Sequence, residues 1–147
     1  MKSCHSINNR GEKIMESKLK HLEIIQGVIN RMAGNSFLLK GWAITLVAAL
    51  FALFAKDNNH AYILIAYLPV IIFWILDGYF LSQERLLCNL YDDVRKFDEK
   101  EINFSMDTTN YKKDKQNSWV YSIFSTTLSW FYLPLIVLIL FIKWLIK

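Results

Sequence analysis

Apolar residues along the chain collect into three long blocks, and charged residues collect between them. The first block, 37–55, is interrupted only by Lys40. Its 19 residues rise about 28 Å as a helix, close to the thickness of a bilayer core. The second, 61–81, carries Pro69 near its middle and Asp77 near its end. The third, 118–142, holds an uncharged run of 24 residues from Trp119 with Pro134 as its breaker, long enough to span with tilt. Amphipathic periodicity continues outside the blocks. Met15, Leu19, Leu22, Ile25, Ile29 and Met32 recur at three- and four-residue steps, opposite Lys13, Glu16, Lys20 and Glu23, which predicts an amphipathic helix before the first span. Gly34-Asn35-Ser36 supplies a stop and an N-cap, so a bend is expected there. Beyond Asp77, Phe80, Leu87, Leu90, Val94 and Phe97 extend an apolar stripe to about Lys100. The second helix is therefore expected to leave the membrane and pair with the first amphipathic helix, Ile29 near Leu87, Leu22 near Val94 and Leu19 near Phe97.

The expected fold class is an all-α integral membrane protein. It has three transmembrane helices, a cytoplasmic amphipathic helix over 1–36, and a cytoplasmic extension of the second transmembrane helix followed by a loop, together 82–117. Composition supports this reading, since a hydrophobic fraction of 54% in 147 residues is more than a soluble domain of that size could hide. The first 36 residues lack the short basic start and apolar run of a secretory signal, so insertion is expected to use the internal helices. Lys and Arg number seven up to Lys40, one near Asp57, seven from 82 to 117 and two in the tail. By the positive-inside rule this alternation predicts a cytoplasmic N-terminus. Trp119, Tyr121, Trp130 and Trp144 suit interfacial anchoring around the third helix.

The connection 56–60 is short and polar, so the first two spans are expected to form an antiparallel hairpin. Folding the chain about residue 58 brings Lys40 and Asp77 to one depth and predicts a salt bridge between them, because a lone charge there is costly. Asn30, Arg31, Asn35, Ser36 and Lys40 of the first helix, with Asp77, Gln83, Glu84 and Arg85 of the second, form a polar collar. Its two readings are a seal that closes the bundle, and a pore mouth or oligomer contact. Gly41, Ala43, Ala48, Ala49, Ala52 and Ala55 permit close helix approach.

Catalytic patterns are missing. His5, His21 and His60 lie in separate segments, and Cys4 and Cys88 have no ligand spacing, so free thiols are expected and no metal or cofactor. No phosphate-binding glycine loop and no nucleophile elbow occurs. Asp92 and Asp93 are adjacent and point to different sides of a helix. Asn103-Phe104-Ser105 matches a glycosylation acceptor, but lies on a loop read as cytoplasmic. No enzymatic activity is expected.

The stretch His21-Leu22-Glu23-Ile24-Ile25-Gln26-Gly27-Val28-Ile29-Asn30-Arg31-Met32, then Asn35-Ser36-Phe37-Leu38-Leu39-Lys40-Gly41-Trp42, with Leu76-Asp77-Gly78-Tyr79-Phe80 and Gln83-Glu84-Arg85, resembles small bacterial membrane proteins of phage-defence loci. Among these it is similar to the membrane accessory family of type VI-B CRISPR systems, over roughly residues 21 to 95. The resemblance implies an oligomeric pore in the bacterial inner membrane that assists a soluble defence partner. That family was linked to an arginine–histidine nuclease-like motif. None of Arg10, Arg31, Arg85 or Arg95 has a histidine four to six residues on, so only pore formation or membrane perturbation carries over. The expected partners are the bilayer, further copies of the chain and a soluble cytoplasmic defence protein, without direct nucleic-acid binding. The alternative is a non-conducting adaptor that holds a soluble partner through its cytoplasmic helices.

Overall fold

The computed structural model describes residues 2–57, 61–96 and 103–145, with side chains from residue 12 onward. The side chain of Cys4, the expected turn at 58–60, Phe97 and the expected helix end at Lys100 lie outside these. Among the described residues every regular element is helical. By length and composition, three helices are able to cross a membrane.

Helix α1 (Lys2–Asp57) is one continuous helix of 56 residues, and the bend expected at Gly34-Asn35-Ser36 does not form. The reason lies in its inward stripe. Ile25, Ile29, Met32, Ser36, Lys40, Ala43, Val47, Leu50 and Phe54 follow one another at three- and four-residue steps, and all are buried or half-buried. A bend at Gly34 would break that stripe in two. Instead of capping a helix start, the Ser36 hydroxyl donates across to Asp77.

The second span is divided where the sequence carries a proline. Helix α2 (Ala61–Ile65) ends one turn before Pro69, and α3 (Tyr67–Lys96) begins after Ala66. Proline has no N–H to give the carbonyl four residues back, and its ring crowds that carbonyl; here the carbonyl is that of Ile65. From Tyr67 the helix runs unbroken for 30 residues, past the membrane block and into the charged region.

The third block also divides, at a place without a proline. A short helix α4 (Trp119–Ile123) precedes α5 (Thr126–Leu145), and Pro134 lies inside α5 without interrupting it. At the junction Ser125 N–H bonds the Ser122 carbonyl, and Ser129 N–H bonds the Ser125 carbonyl. The helix long and apolar enough to span is therefore the 20 residues of α5, about 30 Å long, instead of the 24-residue run expected from Trp119.

Two apolar clusters stack along the bundle. One joins Ala43, Val47, Phe54, Ile63, Val70, Leu128, Tyr132 and Ile139 across α1, α2, α3 and α5. The other joins Ile25 and Ile29 of α1 to Leu87, Leu90 and Val94 of α3, with Leu22 packed against them. The antiparallel register holds over a long distance. Ser36 bonds Asp77, and Lys18 Nζ donates to the Arg95 carbonyl at 3.2 Å; the two contacts are the same eighteen residues apart on each helix. Lys18 thereby satisfies a carbonyl in the last turn of α3, as basic side chains commonly do at helix ends.

The return from α3 to α4 lies against this pair. Two 3-10 turns, Thr109–Lys113 and Lys115–Asn117, are tied down by Tyr111, whose hydroxyl donates to Asp93 at 2.8 Å. Asn117 Nδ2 donates to the Tyr111 carbonyl at 2.9 Å. Phe104 meets the buried His21 ring edge-on at 5.5 Å.

Candidate functional site

Asp77 is fully buried within the bundle, where a carboxylate is tolerated only if paired and hydrogen-bonded. Each neighbouring long helix supplies a donor. From α1, Lys40 Nζ lies 2.5 Å from Oδ2, the ion pair expected from the hairpin. One turn earlier Ser36 donates to Oδ1, and Lys40 in turn donates to Ser36 Oγ at 2.7 Å. From α5, the Tyr132 hydroxyl donates to Oδ2 at 3.2 Å. The spacing of 36 and 40 puts both α1 groups on one face, and that face points at α3. Trp74 stacks on Tyr132 at 5.7 Å, and Phe131 meets it edge-on, so the ring is held on two sides. Lys40 also lies 5.9 Å from the centre of the Phe131 ring, within cation–π range.

Of the nine collar residues, Ser36, Lys40 and Asp77 are brought together. Asn30 and Arg31 face outward, and Asn35, Gln83 and Glu84 are half-buried. Arg85 turns to the loop: its Nη1 donates to the Gln116 carbonyl at 2.8 Å and lies 3.4 Å from Ser122 Oγ. Tyr132 is the member that sequence reasoning missed. Its one signal is a hydroxyl deep in the span, past Ser129 and followed by an uncharged apolar run to Ile142, which needs a partner when buried.

A second polar seam fixes α4 to α3. Trp74 Nε1 donates to the Ile123 carbonyl at 2.9 Å, Trp119 Nε1 to the Ile75 carbonyl at 3.1 Å, and Ser82 Oγ to the Asn117 carbonyl at 2.6 Å. Gly78 makes the approach possible. A Cβ on it would lie 2.4 Å from Ile123 Cγ1 and 3.1 Å from Ile123 Cα, and real atoms do not come that close.

The outer face of α1 carries the opposite feature. Gly27, Gly34, Gly41, Ala48 and Ala55 recur every seven residues, all exposed, with Thr45 and Ala52 exposed between them. A Cβ on Gly27, Gly34 or Gly41 would meet nothing within 4 Å. Close packing inside this chain therefore gives no reason for glycine at these positions, where each costs a helix about 1 kcal/mol relative to alanine. Ala43, grouped with the other small residues by sequence, is instead fully buried in the bundle.

Among the described residues no group of His, Cys, Asp and Glu side chains could hold a metal ion. No family model matches the chain, and no curated protein or solved structure matches it significantly.

Proposed function

We propose that the protein is a membrane effector that assembles from several copies through the outer face of α1 and opens a conducting path when the Ser36–Lys40–Asp77–Tyr132 network rearranges. The observation that carries this reading is the seven-residue repeat of small, exposed residues from Gly27 to Ala55. In lipid, helices associate through close packing of small residues, and a seven-residue repeat suits a left-handed helix pair. The same face carries Asn30 and Arg31, which assembly would gather into a polar ring at one end.

The remaining parts fit the same reading. The charged ends of α1 and α3 lie together, and the Lys/Arg distribution favours their placement in the cytoplasm of a bacterial cell, where a soluble partner can reach them. A buried ion pair is a poor stabiliser against apolar alternatives, but its removal is felt strongly, as a latch between two arrangements requires. The resemblance to accessory pore proteins of defence loci points the same way.

Cysteine cross-linking in membranes tests the assembly. With Cys4 and Cys88 replaced by serine, Ala48→Cys should give disulfide-linked dimers, and Leu64→Cys, exposed on α2, should not. Equal cross-linking from both positions, or none from Ala48→Cys, defeats the proposed interface. Conduction is tested with a membrane-potential dye in cells holding the partner and trigger, comparing the intact protein with Lys40→Ala and Asp77→Ala. The pore reading fails if the intact protein never depolarises the membrane.

A second reading, an adaptor, is favoured by Met15, Leu19 and Ile24, which are exposed on the charged extension of α1. Pull-down with the full-length protein distinguishes it: an adaptor keeps its soluble partner in membranes that stay polarised.

A further inference from the structure

We infer that the pocket between α3 and the start of α4, lined by Arg85, Cys88, Asn89, Gln116, Asn117 and Tyr121, binds a phosphate group, presented by the headgroup of an anionic phospholipid.

The pocket is built around a guanidinium only partly used by the protein. Arg85 spends Nη1 on the Gln116 carbonyl and on Ser122 Oγ and lies 5.9 Å from the centre of the Tyr121 ring. These contacts fix the plane of the group. Its Nε and Nη2 donors have no acceptor among the described residues, and neither do the side-chain amides of Asn89 and Gln116 or the Tyr121 hydroxyl. Three kinds of donor side chain therefore line one polar cavity, a set suited to an oxygen-rich anion. Lys112, Lys113 and Lys115 are exposed on the adjoining turns and add positive field. The carboxylates nearby are accounted for otherwise: Asp114 accepts the Gln116 backbone N–H, and Asp92 pairs with Arg95 at 3.4 Å. Glu84 lies one residue away on α3, where burial raises its carboxyl above the ordinary range and so weakens its charge, with Arg85 and Lys40 offsetting part of that rise.

Depth selects the lipid as the source. Gly78 meets Ile123, three residues before α5 begins. Arg85 lies about 10 Å further along α3, and its guanidinium reaches back toward Ser122. That level is the headgroup layer of a bilayer whose apolar core α5 spans. Trp119 and Tyr121 on α4 and Phe124 just after it are exposed, and aromatic residues favour the same layer. A phospholipid seated there would put its phosphate on Arg85 and its acyl chains along the apolar exposed surface of α4 and α5.

The test is native mass spectrometry of the full chain released from nanodiscs of mixed phosphatidylglycerol and phosphatidylcholine. Phosphatidylglycerol should be retained, with retention about tenfold weaker in Arg85→Gln. Arg85→Gln also loosens the loop, so Asn89→Leu is the second variant. Asn89 makes no side-chain bond among the described residues, and leucine there blocks the cavity without cutting a contact; it should lose lipid to a similar extent. Lys143→Gln, near the other end of the bundle, should retain it. Unchanged retention in both pocket variants overturns the inference. Displacement of the lipid by excess inorganic phosphate, with phosphate alone protecting the pocket in detergent, would keep the phosphate site and overturn the lipid as its source.

Discussion

Three donors meet on the Asp77 carboxylate, and removing one charge leaves the other buried alone. Lys40→Met should therefore destabilise the protein by about 3–5 kcal/mol, whereas Lys40→Met with Asp77→Leu should recover most of that loss. Thermal unfolding in detergent of the two single variants and the double variant measures the coupling. Tyr132→Phe removes only one neutral donor and should cost about 1 kcal/mol. The Lys40–Asp77 pair was legible in the sequence because a hairpin folded about the short polar connection 56–60 fixes which residues share a depth. Tyr132 was not, since a connection of more than thirty residues separates its helix from Asp77 and spacing then fixes no register. Tyr111 provides a pH test outside the spans. Burial, then the hydrogen bond and charge of Asp93, push its hydroxyl up to about 12. A raised acid favours the folded state in its protonated form, so this anchoring is complete below the ordinary tyrosine range near pH 10 and is lost as the pH rises from there toward 12. Tyrosinate absorbance should show a group titrating toward pH 12 that is absent in Tyr111→Phe.

Interruptions separate the observed helices from those the periodicity implied. At Pro69 the second span was expected as one helix, although the cause of the break stands in the sequence, because the missing N–H acts on a known carbonyl. At Ser125 it was not: no residue there forbids a helix, and the chain turns because α4 is held against α3 by Trp74, Ser82 and Gly78. The continuity of α1 was misjudged for a related reason. Gly34 and Ser36 resemble a stop and a cap locally, but the stripe facing α3 runs through them, and packing outweighs a local signal of about 1 kcal/mol. Gly78→Ala forces a methyl group into Ile123. It should cost about 1–3 kcal/mol in detergent stability and release α4, which limited proteolysis between 112 and 125 should detect as faster cleavage. Pro69→Ala should restore the missing bond and merge α2 with α3, raising helical circular dichroism slightly.

Across the whole molecule, the inner and outer faces of α1 have different tasks. The inner stripe was legible as amphipathic periodicity. The outer repeat of Gly27, Gly34, Gly41, Ala48 and Ala55 was only half legible, because a small residue reads equally as lipid-facing filler until the space in front of it is known to be open. If this face joins copies, Gly34→Leu with Gly41→Leu should shift the protein to smaller species in size-exclusion chromatography with light scattering, while its helical content stays unchanged. The charged end carries a buried face of Ile25, Ile29, Leu87, Leu90 and Val94, so its two helices are expected to unfold together with the spans in one transition. An unhinged rod of 56 residues, about 84 Å long, would serve the proposed effector as a drive shaft. A ligand or protein that twists its outer end by a given angle turns Ser36 and Lys40 by nearly the same angle, without any relay of side chains between. Torque applied at the outer end would then be carried toward Asp77 by the helix itself, and a single flexible insertion after Gly34, beyond the Ile25 and Ile29 face, would uncouple the two ends while leaving that face intact.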